Sequence, residues 1–208
     1  MKTKSIQKQK IKWIVLDMNG VIVRNLDHHI LFELCEKFKM NKYKAVLKYL
    51  KNLYALQTGK MSSEKFWNNI FKKQKQFNYK KMVDEKYGIN QYIDNEFLNK
   101  IYQLKKEGYK ICILSNSADG MSKQYKDSKK FEYADEIVLS EEINAMKPFP
   151  KTWKKMLKII KAKPEECIFV DDHKQNVMIA KAMGFNAIRF RKTQDIEQEI
   201  RNALETNN

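Results

Sequence analysis

The chain has 208 residues, 43% hydrophobic and 12% aromatic against 32% charged, a balance too apolar for a disordered chain and sufficient for one core with room for a small inserted unit. Its formal charge of +16 draws anions to the surface. Only Arg24, Arg189, Arg191 and Arg201 among 41 basic residues are arginine, and lysines occur in every segment, so a diffuse basic surface that attracts anionic substrates is favoured over a dedicated nucleic-acid groove.

After a basic start, the apolar run Ile11 to Leu16 is too short for a signal-peptide core and is closed by Asp17. IKWIVLD (11–17) is β-branched and apolar on both faces, as a buried parallel strand requires. Residues 25–90 then carry helical stripes and no convincing strand. Ile30, Leu31, Leu34 and Phe38 form one stripe, Val46, Leu47, Leu50 and Tyr54 a second, and Phe66, Trp67, Ile70 and Phe71 a third. They predict a small helical domain whose aromatics make its own core. Gly59-Lys60-Met61-Ser62-Ser63 resembles a phosphate loop and the synthetase KMSKS loop, yet it lacks the Walker spacing and a HIGH-like partner, and is assigned to a helix start.

From residue 91 strands and helices alternate. YKICILS (109–115), DEIVLS (135–140), ECIFVD (166–171) and FNAIRF (185–190) read as strands. Phe97, Leu98, Ile101 and Leu104 share a helical face between an Asp94 cap and Gly108. Trp153, Met156, Leu157 and Ile160 do so behind Pro150, and Val177, Ala180 and Met183 precede Gly184. The expected fold is a doubly wound parallel α/β sheet formed by residues 1–24 and 91–208, with the helical insertion at 25–90. Cys35, Cys112 and Cys167 lack C-x-x-C spacing and read as buried thiols of a reducing compartment. With no other run of membrane-spanning length, a cytoplasmic protein without a membrane partner is expected.

In open α/β sheets ligands sit beyond the carboxyl ends of the strands, where neighbouring loops diverge. The first strand ends in Asp17-Met18-Asn19-Gly20, the second in Ser115-Asn116 and the fourth in Asp171-Asp172, while Lys147-Pro148 follows the third. Taken singly, these are a turn, a helix cap and a surface lysine. Taken together, they set a carboxylate, a hydroxyl, a cation and an acidic pair on one edge. His28, His29 and His173 have no metal-ligand spacing; the first two are expected in the insertion and the third in a loop beside the acidic pair.

In this order and spacing the chain resembles the haloacid dehalogenase superfamily with a helical C1-type cap inserted after the first motif. LDMNGVIV, ILSNS, MKPFP and VDDHKQNV resemble the four motifs across roughly residues 11–190, and the acidic pair followed by Asn176 is similar to the sugar-phosphatase and epoxide-hydrolase-associated branches. The resemblance implies a Mg2+-dependent phosphatase of a small phosphorylated metabolite, in which Asp17 attacks phosphorus and water hydrolyses the aspartyl-phosphate. It implies that magnesium is held by the Asp17 carboxylate, the Asn19 main-chain carbonyl and Asp172, with Asp171 and Asn176 in support, and that Ser115, Asn116 and Lys147 bind the phosphoryl oxygens. These residue types suit a hard cation and a reaction governed by positioning and charge neutralisation.

Asn19 departs from the pattern. The family's phosphatases carry a second aspartate there, which protonates the leaving oxygen and activates water, and an amide does neither. Acid-base help of this kind is worth about 10²- to 10⁴-fold, or roughly 3 to 5 kcal/mol of barrier. Three readings follow: a slow phosphatase that prefers good leaving groups, a silenced relative that still binds phosphate, or an engineered replacement that traps an intermediate. A metal-independent dehalogenase is the enzymatic alternative, against which the Asp171-Asp172 pair speaks, because extra carboxylates around a carboxylate nucleophile call for a bound cation. A non-catalytic phosphate- or nucleic-acid-binding relative is the alternative from another class.

Overall fold

The computed structural model describes residues 11–23, 27–71, 95–119, 121, 125, 127–191 and 195–207, with backbone only at 27–29 and 207. The apolar runs form one sheet: β1 (Trp13–Leu16), β2 (Lys110–Ser115), β3 (Glu136–Leu139), β4 (Cys167–Asp171) and β5 (Asn186–Arg189), in the order β3-β2-β1-β4-β5 with every pair parallel. All five strands lie within the predicted runs. The chain winds outward from β1 through β2 to β3, returns to β4 on the other side of β1, and ends at β5. Its direction of travel therefore reverses between β1 and β4, the point at which open α/β sheets bind their ligands.

Both sheet faces are covered, which is why the strands are apolar on both sides. Ile14 and Leu16 point into a core with Ile111, Ile113, Ile168 and Val170. Helices α4 (Asn95–Lys106) and α8 (Ile196–Asn207) cover it through Ile101, Leu104, Ile200 and Leu204. Trp13 and Val15 point the other way, to Cys112, Leu114 and Phe169, under α6 (Pro150–Ile160) and α7 (Lys174–Ala182). Pro150 occupies the first turn of α6, where its missing N–H has no helical partner to lose. A one-turn α5 (Ser140–Ile143) follows β3. The three cysteines are buried free thiols, and Asp94 lies outside the described residues. Among the described residues no helix is long and apolar enough to cross a membrane.

Between β1 and β2 the described part of the insertion forms α1 (Asp27–Lys37), α2 (Lys42–Gln57) and α3 (Ser63–Ile70). Their apolar cluster includes Leu31, Leu34, Ala45, Leu56, Phe66 and Ile70. Ser62 caps α3 by accepting from Lys65 N, so the Gly59–Ser63 stretch leads into a helix, as expected. The second stripe departs from the expected packing. Of the second stripe, Leu47, Leu50 and Tyr54 face outward, and the inward face is built on Ala45, Tyr49 and Leu56. Apolar residues occupy two opposite faces of α2, so periodicity alone did not decide which one packs.

The insertion seats on the loop after β2. Asp119 Oδ1 accepts from Ser63 N at 2.5 Å and also from the Ser63 hydroxyl, Ala118 packs into the insertion's cluster, and the Tyr54 and Phe149 rings meet edge to face at 5.7 Å. Gly59, at φ +69°, lies so close to α5 that a Cβ there would sit 2.7 Å from the Glu141 carbonyl oxygen.

Trp153 is fully buried on α6, whereas Ile159 on the same helix is exposed. Trp153→Ala is expected to lower the unfolding free energy by about 3 to 5 kcal/mol, and Ile159→Ala to change it by no more than about 0.5 kcal/mol, as measured by urea denaturation.

Candidate active site

The site grows from the carboxyl ends of β1 and β4. Asp17 follows β1, and its N–H donates to Val170 O at 2.9 Å, fixing it beside Asp171. The chain then turns tightly: Ile22 N and Val23 N both donate to Met18 O, Gly20 N donates to Val23 O, and Asn19 pairs with Val23. Gly20 sits at φ +90°, and a Cβ there would overlap the Asp172 carboxylate, so the position needs glycine both for its conformation and for the close approach.

Lys147 lies at the centre and is 2% exposed. Its ammonium bonds Asp17 Oδ1 at 2.7 Å, Asp171 Oδ2 at 2.8 Å and Leu114 O at 2.9 Å, which occupies all three of its protons. The Phe169 ring lies beneath it, 5.7 Å from the nitrogen. Asn116 fixes the lysine's main chain, accepting from Lys147 N at 2.8 Å and donating to Lys147 O at 2.9 Å, and the Lys147–Pro148 peptide is cis. With the Asn116 amide so engaged, what it can offer a ligand is its backbone N–H. The Ser115 hydroxyl is buried at the end of β2 and donates to Asn116 O at 3.3 Å.

Asp171 and Asp172 differ sharply in surroundings. Asp171 is fully buried, with its oxygens taken by Lys147, by His173 N at 2.8 Å and by Asn176 Nδ2 at 2.9 Å from each. Asp172 is partly exposed and meets His173 Nδ1 at 2.7 Å, while Arg189 Nε donates to its carbonyl at 3.2 Å. Asp17, Asp171, Asp172 and His173 place potential ligand atoms within 4.8 Å of one another. One ammonium thus faces three carboxylates. Burial pushes the Asp17 carboxyl up to about 7, Lys147 pulling it down and Asp171 pushing it up. Burial alone would lower Lys147, but Asp17 and Asp171 outweigh it and raise that ammonium, and the hydrogen bond that His173 Nδ1 donates to Asp172 raises His173. A cluster of hard oxygen donors that is left short of positive charge once Asp17 ionises fits a divalent cation.

Asp17, Asn116, Lys147, Asp171 and Asp172 are joined with His173 and Asn176 in one hydrogen-bonded network. Asn19 contributes its main chain to the turn beside Asp172, and Ser115 adjoins the network through Asn116. From the sequence, His173 is placed only in a loop. Its position straight after the acidic pair was the available signal, whereas the Asn116 clamp joins residues 31 apart and left none.

A parallel sheet with an acidic cluster at its reversal point, and a buried lysine bridging two of the carboxylates, defines a hydrolase-type α/β core. Residues 14–190 match the haloacid dehalogenase-like hydrolase family, and the chain belongs to it. It is 33% identical over 79 residues to the pyrophosphatase PpaX of Bacillus cereus, covering 38% of this chain and 37% of that protein. It is 30% identical over 113 residues to the bifunctional epoxide hydrolase 2 of Rattus norvegicus, covering 52% and 20%. The chain thus spans well under half the length of these curated relatives. A haloacid dehalogenase family enzyme from Bacteroides thetaiotaomicron shares the fold at a TM-score of 0.75 and 23% identity, over 92% of this chain and 98% of that one. A predicted family hydrolase from Porphyromonas gingivalis does so at 0.72 and 22%, over 93% and 98%.

A carboxyl held at about 7 when folded and 3.8 otherwise keeps a proton in the folded state that the unfolded state releases, so its contribution makes the metal-free fold less stable as pH rises from about 4 through 7. Asp17→Asn is therefore expected to raise the thermal midpoint of chelator-treated protein at pH 8, with the gain shrinking by pH 5, as followed by calorimetry at both values.

Proposed function

We propose that the chain is a magnesium-dependent phosphohydrolase of small phosphomonoesters that works through an aspartyl-phosphate on Asp17. The observation that carries this reading is the bridge from Lys147 to both Asp17 and Asp171 with Asp172 alongside, at the point where the sheet reverses. An Asp17 oxygen attacks phosphorus, the bond to the leaving oxygen breaks, and that oxygen takes up a proton. Water then cleaves the acyl phosphate, releasing inorganic phosphate and restoring the Asp17 carboxylate.

Asp17, Asp172 and the Asn19 carbonyl would hold magnesium, with Asp171 and Asn176 orienting the set. When bound, the ion supplies positive charge against the phosphoryl oxygens and the carboxylates. Lys147, held by Asn116, keeps Asp17 oriented and lends its charge to the phosphoryl group, and the Ser115 hydroxyl with the Asn116 N–H binds the phosphoryl oxygens. The insertion, residues 25–90, serves as the cap that excludes water and selects the substrate. The buried free thiols suit the cytoplasm.

Because Asn19 supplies no proton, the leaving oxygen must depart with little help, and esters or anhydrides with acidic leaving groups are favoured. Support comes from the PpaX relative, a pyrophosphatase, and from structures of the Bacteroides enzyme in complex with magnesium and inorganic phosphate. The acidic pair weighs against a metal-free dehalogenase.

A screen of aryl, acyl and alkyl phosphates, run with magnesium and with chelator, tests the reading. Turnover is expected on the first two classes, to vanish on chelation, and to rise by about 10²- to 10⁴-fold on alkyl phosphates in Asn19→Asp. Activity indifferent to chelator would overturn the magnesium assignment, and an unchanged Asn19→Asp rate would take position 19 out of proton transfer.

A further inference from the structure

We infer that the outer face of α2 is the contact surface of a two-fold dimer of this chain. Tyr43, Leu47, Leu50 and Tyr54 stand in one stripe at intervals of four, three and four residues, 84, 68, 59 and 48% exposed. The inward residues Ala45, Tyr49 and Leu56 lie two positions on from Tyr43, Leu47 and Tyr54, about 200° around the helix, so the stripe points directly away from the insertion's own core. At its carboxyl end the Tyr54 ring meets Phe149, itself 51% exposed, and Lys60 lies 5.2 Å from the same ring. The band therefore continues from the insertion onto the loop that carries Lys147. Side chains of this size at these exposures leave roughly 600 Å² of largely apolar surface, the upper end of what a monomer usually shows. With its rim, the band approaches the approximately 800 Å² that each partner contributes to a standard interface.

The order of residues selects a second copy as the occupant. The stripe reads Tyr-Leu-Leu-Tyr from either end, with the same spacing in both directions. Two antiparallel copies related by an axis between positions 48 and 49 set Tyr43 against Tyr54 of the second copy, and Leu47 against Leu50 of the second copy. Self-complementarity of this kind is what an isologous contact requires and what a bilayer or an unrelated helix does not. No acidic residue occurs from 37 to 63, and Lys44 and Lys51 share one flank of the stripe. In the antiparallel pair those flanks meet, so salt, by screening lysine from lysine, tightens the dimer. An acidic partner or an anionic bilayer would be loosened by the same salt.

Sedimentation equilibrium of the full chain over a range of protein and salt concentrations tests this. The expected result is the mass of two chains, with the dissociation constant falling as salt rises, and reversion to one chain in Leu47→Lys/Leu50→Lys with an unchanged far-ultraviolet circular dichroism spectrum. The register is checked separately by oxidising Tyr43→Cys and Tyr54→Cys proteins alone and mixed. Positions 43 of the two copies lie about 16 Å apart along the helices, so a covalent dimer is expected only in the mixture. One-chain mass at every concentration, a dimer that survives the double lysine variant, a mixture that does not cross-link, or association with anionic vesicles by an otherwise monomeric chain would overturn the proposal.

Discussion

The structure depends on one buried ammonium placed between carboxylates. Lys147 is almost wholly buried, so its charge depends on Asp17 and Asp171 standing within 2.8 Å of it, and removing both carboxylates would leave a buried charge unmatched. Much of the local architecture serves that contact. The parallel register sets Asp17 level with Asp171, the Leu114 carbonyl takes the third proton, and Asn116 grips the lysine's main chain on both sides of its Cα. Burial first, and then the neighbouring Asp171 and Asp172, make Asp17 resist ionisation, and three carboxylates beside one ammonium would be balanced by a divalent cation.

The two neighbouring aspartates divide the work by their surroundings. Asp171 has its oxygens filled by three donors and no exposure, so it orients Lys147 and the first turn of α7. Asp172 is turned toward solvent and pressed against Gly20, where it can face a cation shared with Asp17. The loop after β2 links the Lys147 cluster to the insertion, since Asn116 clamps Lys147 while Ala118 and Asp119 receive the insertion's helices. A substrate's phosphoryl end and its remainder would thus be read by two ends of one short loop.

The fold was legible because parallel strands buried on both faces must be apolar on both faces, and the five runs stand out from the lysine-rich remainder. The strand-end residues were legible for a related reason: polar groups that close such runs, one strand after another, gather at a single edge of a parallel sheet. Contacts between distant segments were not legible. Asn116 meeting Lys147, Gly20 meeting Asp172 and Ser63 meeting Asp119 depend on loop paths that no periodicity encodes. The orientation of α2 was misread because Leu47, Leu50 and Tyr54 are as apolar as the face that packs, and only the positions of α1 and α3 decide between them.

In the proposed enzyme the acidic cluster, short of positive charge, would be completed by magnesium at Asp17 and Asp172. Titration calorimetry with magnesium on the chain and on Asp172→Asn tests it most directly. One ion is expected to bind the unaltered chain, with affinity falling at least about tenfold in the variant; equal affinity in the two proteins, or no binding to either, would contradict it.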